Sequence, residues 1–104
     1  MAKFSSPVAP IASTIEVSSR LRSASSRVWA IRSRIQLTQT RVQQNRELAA
    51  TGAGNRFDLE QAETDLRDLD AQLGTAMANE AQIRAQLTAT VGGDIASVAK
   101  IKAD

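Results

Sequence analysis

Ala49-Ala50-Thr51-Gly52-Ala53-Gly54-Asn55-Arg56-Phe57-Asp58-Leu59 decides the fold, because it sets two glycines and a fresh helix start between two long runs of heptad-spaced apolar residues. Glycine is the residue that enters a left-handed helix cap at least cost, so Thr51-Gly52-Ala53-Gly54 ends one helix and reverses the chain. Asn55, with Asp58 three residues on, supplies the N-cap of the next helix. Asp58, Glu60 and Glu63 then place negative charge on the positive end of its dipole.

Upstream, Thr14 to Ala50 contains neither Pro nor Gly. Val17, Leu21, Ala24, Val28, Ile31, Ile35, Thr38, Val42, Asn45 and Ala49 follow alternating steps of four and three, which is a heptad seam. Downstream, Leu59, Ala62, Leu66, Leu69, Leu73, Ala76, Glu80, Ile83, Leu87 and Thr90 keep the same rhythm. Ser13-Thr14-Ile15-Glu16 reads as a capping box that starts the first helix. Residues 1–12 hold both prolines, Pro7 and Pro10, and are expected to form an irregular arm. Gly92-Gly93 is expected to stop the second helix near Val91. Asp94 would then cap a further, truncated helix in which Ile95, Val98 and Ile101 share a face. The expected fold is therefore all-α: a long antiparallel two-helix coiled-coil hairpin over 13–91 with its tip at 51–55, and a short third helix begun over 92–104. Each long helix has about 36 residues, roughly 54 Å at the rise of an α-helix.

Register follows from arithmetic. Pairing Ala49 with Leu59, Asn45 with Ala62, Val42 with Leu66 and so on to Val17 with Thr90 gives position sums alternating between 108 and 107, so the stripes stay matched throughout. Glu80 interrupts the apolar pattern opposite Val28, with Arg27, Arg32 and Arg84 in reach, and a polar seam residue commonly fixes register at some cost in stability. Charge agrees with the pairing. Arg20 to Arg46 holds seven arginines and no acid, whereas Arg56 to Val91 holds seven acids against Arg56, Arg67 and Arg84. Arg46 is expected near Glu60 and Arg41 near Asp65.

Composition removes most chemistry. Among 104 residues there is no His, no Cys and no Tyr, with one Trp (Trp29) and two Phe (Phe4, Phe57). The commonest general base, the thiol nucleophile and the usual ligands of zinc, copper or iron are therefore missing. No enzymatic activity, cofactor or metal is expected. Glu60, Glu63, Asp65, Asp68 and Asp70 are spaced so as to scatter round a helix, as a solvated face does. Gly52-Ala53-Gly54 lacks the preceding strand and the Lys-Ser/Thr of a phosphate loop. The arginines would neutralise several phosphates, but the formal charge is only +2 and no aromatic platform accompanies them, so no nucleic-acid partner is expected. Trp29, beside the seam residue Val28, reads as a flank-packing residue; exposed, it would be a candidate contact to a neighbouring subunit. No stretch approaches the apolar length of a membrane span, and Met1 to Ile15 does not read as a signal peptide or an anchor.

The stretch from Leu48 through Asn55-Arg-Phe-Asp-Leu-Glu-Gln-Ala62-Glu, with the heptads through Asp70-Ala-Gln-Leu73 and Ala81-Gln-Ile-Arg-Ala-Gln-Leu87, resembles the α-hairpin of HlyD-like periplasmic adaptors, also called membrane fusion proteins. The resemblance implies a hairpin projecting from a lipoyl-like domain, associating with copies of itself, and linking an inner-membrane transporter to an outer-membrane channel in efflux or secretion. It implies a periplasmic location for the hairpin, with the full-length protein anchored in the inner membrane. The tip of such hairpins often carries Arg, then Leu four residues on, then Ser seven beyond. Here Leu48 matches the Leu, while Gln44 stands at the Arg position and Asn55 at the Ser position. Gln44, Leu48, Asn55 and Phe57 are the candidate docking residues. The other reading of the same heptads is a free-standing structural or oligomerisation coiled coil.

Overall fold

The computed structural model describes residues 9–103, with side chains described over 13–101. Two α-helices account for almost all of it: α1, Ala9–Ala50, and α2, Arg56–Ala103. They pack against each other as an antiparallel hairpin, with no strand among the described residues. The chain divides into two compact units, each a pair of helical segments: Arg27–Met77, which contains the turn, and a second made from residues up to Ser26 together with those from Ala78 onward.

Every seam position read from the heptads is buried or half-buried. In the Arg27–Met77 unit, Val28, Ile31 and Ala76 form a buried cluster against which Ile35 and Leu73 pack. In the other unit Val17, Ala24 and Ile83 do the same with Leu21 and Leu87. These groups bring together residues that the register sets opposite one another: Ile31 with Ala76, Ile35 with Leu73, Ala24 with Ile83, Leu21 with Leu87. The core is thin, since Ala24, Ala62 and Ala76 are among its nine buried apolar residues. One polar seam residue, Asn45, is satisfied within its own helix. Asn45 donates from Nδ2 to the Arg41 carbonyl one turn back, at 3.0 Å. No buried side-chain nitrogen or oxygen among the described residues lacks a partner.

The flanks obey the same register. Arg46 and Glu63, each one residue past a seam position, form an ion pair at 3.6 Å. Arg32 and Met77, also one past, meet through a guanidinium donating to Sδ at 3.9 Å. Arg20 and Gln86, each one before a seam position, are hydrogen-bonded at 3.3 Å. The expected partner of Arg46, Glu60, lies one past Leu59 on the outward side of α2 and is exposed; Glu63 takes its place. Arg41 and Asp65 share the wall of a groove. Glu80 pairs with Arg84 of its own helix at 3.9 Å, in the favourable order with the acid N-terminal by four residues.

Two expected boundaries move. Helix α1 begins at Ala9, so Ser13-Glu16 lies inside it and does not cap it. Of the arm expected over 1–12, residues 9–12 are helical and residues 1–8 lie outside the described residues. Pro10 is compatible with this start, because the first-turn amide it lacks has no helical acceptor in any case. The second change is at Gly92-Gly93: α2 runs through the pair to Ala103, and the third helix is not formed. Of the described glycines only Gly52 takes the left-handed conformation that ends a helix, with φ of 77°. Asp94, expected to cap a new helix, instead accepts a hydrogen bond from the Thr14 hydroxyl of α1.

Candidate functional site at the helical turn

Where α1 ends, the carbonyls of its last turn need donors. Gly52 supplies the left-handed residue, and its N–H donates to the Ala49 carbonyl at 3.2 Å while Ala53 N–H donates to the Leu48 carbonyl at 3.0 Å. This is the double hydrogen bond of a Schellman cap. Gly54 N–H and the Thr51 hydroxyl donate to the same Leu48 oxygen, both at 2.9 Å. The chain thus wraps over Leu48, so closely that a Cβ on Gly54 would lie 2.7 Å from the Ala49 nitrogen and 2.8 Å from the Leu48 carbonyl carbon and Cβ. The two glycines serve different ends: Gly52 provides a backbone angle, Gly54 a close approach.

Helix α2 then starts as its sequence requires. Asn55 Oδ1 accepts from the Phe57 N–H at 2.8 Å, and the Asn55 carbonyl accepts the first helical bond from Leu59 N–H at 3.2 Å. That is an N-cap, and Asp58 sits in the first turn as the dipole prefers.

Of the four candidate residues, Gln44 is exposed one turn before Leu48 on the same side of α1. Leu48 is 48% exposed and Phe57 69%. Asn55 is exposed apart from its capping bond. The turn thus offers a partner two large apolar side chains, and Leu48 is the one anchored by its own carbonyl in three hydrogen bonds. Sequence reasoning placed the turn but missed the roles of Thr51 and Gly54 as clamps on Leu48. Nothing in the sequence marks those roles, which arise only from the folded turn.

A groove of about 420 Å³ runs along one flank of the same unit, with Arg34, Leu37 and Arg41 of α1 facing Asp65, Asp68 and Gln72 of α2. Its walls carry opposite charges, so it suits neither a purely anionic nor a purely cationic ligand. No group of three acidic residues able to hold a metal ion occurs among the described residues. No described helix is long and apolar enough to cross a membrane. The chain matches no protein-family model, and comparison with curated proteins and with solved structures gives no match.

Proposed function

We propose that this chain is the α-hairpin of a periplasmic adaptor, a non-catalytic element through which an inner-membrane transporter is linked to an outer-membrane channel in efflux or secretion. The observation that carries the reading is Leu48: a large apolar side chain left 48% exposed on a turn whose backbone is fixed by hydrogen bonds, beside a seam that buries its own residues. A side chain held out in this way costs the hairpin little to lose and leaves apolar area that a partner can bury. Gln44 and Asn55 stand where hairpins of the resembled family carry Arg and Ser, so contacts made there by this chain would be through amides.

Association with further copies belongs to the same proposal. A single seam with Ala24, Thr38, Asn45, Ala62 and Ala76 in it buries little apolar area for the chain that it orders. The free-standing oligomerisation coiled coil is the second reading, and the exposure of Ile95, Val98 and Ile101 favours it.

The test is export in a strain that depends on the full-length protein. Leu48→Asp is expected to abolish export while expression and helicity stay near wild type. Intact export with Leu48→Asp would overturn the docking role. A full reading frame that lacks lipoyl-like sequence on either side of the hairpin would favour the free-standing coiled coil.

A further inference from the structure

Beyond Leu87 the helix pair changes character. Thr90, Val91 and Asp94 are half-buried, and every described residue from Ile95 to Ile101 is exposed. Ile95, Val98 and Ile101 are 64%, 61% and 71% exposed, so the end of α2 gains almost nothing from packing. A helix of about ten residues without packing is marginal in water. Two adjacent glycines join it to the packed part, and a Cβ at either would meet nothing within 4 Å. No close contact therefore demands glycine at these positions. What glycine does supply is backbone freedom, each one shifting the local helix–coil balance about four- to fivefold toward coil relative to alanine. The described side-chain tie from this segment to α1 is the hydrogen bond from the Thr14 hydroxyl to the Asp94 carboxylate.

We infer that Gly92-Gly93 is a joint and Thr14–Asp94 its latch, so that residues 94–103 open and close as a unit while the helix pair up to Leu87 stays folded. Released, the segment turns about the glycines and carries Ile95, Val98 and Ile101 with it. Latched, it continues the axis of α2. The device depends on the local packing of this end of the chain and is independent of the docking role proposed for Leu48.

Hydrogen exchange of the full chain, resolved by residue and measured over a series of low urea concentrations, tests it. Amides 94–101 are expected to exchange at least about tenfold faster than amides 83–87, with a weak dependence on urea, as local opening requires. Thr14→Val, which keeps the side-chain shape and removes the donor, is expected to speed exchange at 94–101 several-fold. The double variant Gly92→Ala with Gly93→Ala is expected to slow it roughly twentyfold. One exchange class with a common urea dependence across 83–101 would overturn the joint. So would rates at 94–101 that either variant leaves unchanged.

Discussion

Alanine at Gly54 and alanine at Gly74 should move stability in opposite directions, although both replace a glycine by the best helix former. At Gly54 the new Cβ would sit 2.7 Å from the Ala49 nitrogen and 2.8 Å from two atoms of Leu48, well inside ordinary van der Waals contact. Two of those three atoms are backbone, so the strain cannot be relieved by turning a side chain. Relief means lifting the turn off the end of α1, which breaks the Gly54 N–H bond to the Leu48 carbonyl and loosens the Ala53 bond beside it. One or two backbone hydrogen bonds at about 1 kcal/mol each, together with residual overpacking, outweigh the ~0.4–1 kcal/mol gained from a less flexible unfolded chain. The expected net loss is about 1–3 kcal/mol. At Gly74 nothing lies within 4 Å of the added carbon and the residue is inside α2, so propensity alone acts, with a gain of about 0.8–1 kcal/mol. Urea unfolding followed by far-ultraviolet circular dichroism, at one protein concentration, measures both. A Gly54→Ala protein as stable as wild type would refute the close packing of the turn on Leu48. A destabilised Gly74→Ala protein would refute the open face of α2.

Leu73→Asp, which sets a carboxylate against the Val28, Ile31 and Ala76 cluster, should cost several kcal/mol and collapse helicity, whereas Arg34→Ala, off the seam, should change stability by no more than about 0.5 kcal/mol; equal effects would show the register to be wrong. Asn55→Ala should lose a cap worth about 0.5–2 kcal/mol, seen as a lower melting temperature with helix content otherwise retained; an unchanged melt would remove the cap from the account. The melting temperature should rise with protein concentration if copies associate, and a concentration-independent melt of a species that sediments as a monomer would exclude association.

The seam was legible because one physical rule governs both its reading and its burial. A residue that recurs every three or four positions faces the partner helix, so Val17 and Ile83 could be placed by counting. Satisfying Asn45 needed no more than the helix itself. The same counting fails one residue off the seam, where reach decides: Arg46 prefers Glu63, directly across, to Glu60, which points away. Gly92-Gly93 was misread for a different reason. A glycine pair looks the same to the reader whether it caps a helix or weakens its interior, and Asp94, expected as a cap, instead meets Thr14, eighty residues distant in sequence. At the turn, Gly52 was readable as a left-handed residue. Gly54 was not readable as a clamp, because its contact with Leu48 exists only once the Schellman bonds have wrapped the chain. The helix start at Ala9 is hidden in the sequence because a proline reads as a breaker in most places, and in a first turn it is not one.

The account rests on one chain folding back on itself in a single register, and an intrachain disulfide tests that most directly. The protein has no cysteine, so Ala24→Cys with Ile83→Cys introduces a lone pair on facing sides of one buried cluster. Under mild oxidation at low concentration the account predicts a monomeric cross-linked species that runs faster on a non-reducing gel, while Ala24→Cys combined with Thr90→Cys, one heptad out of register, stays largely reduced. Cross-linking that yields only dimers, or that proceeds equally well for both pairs, would contradict it.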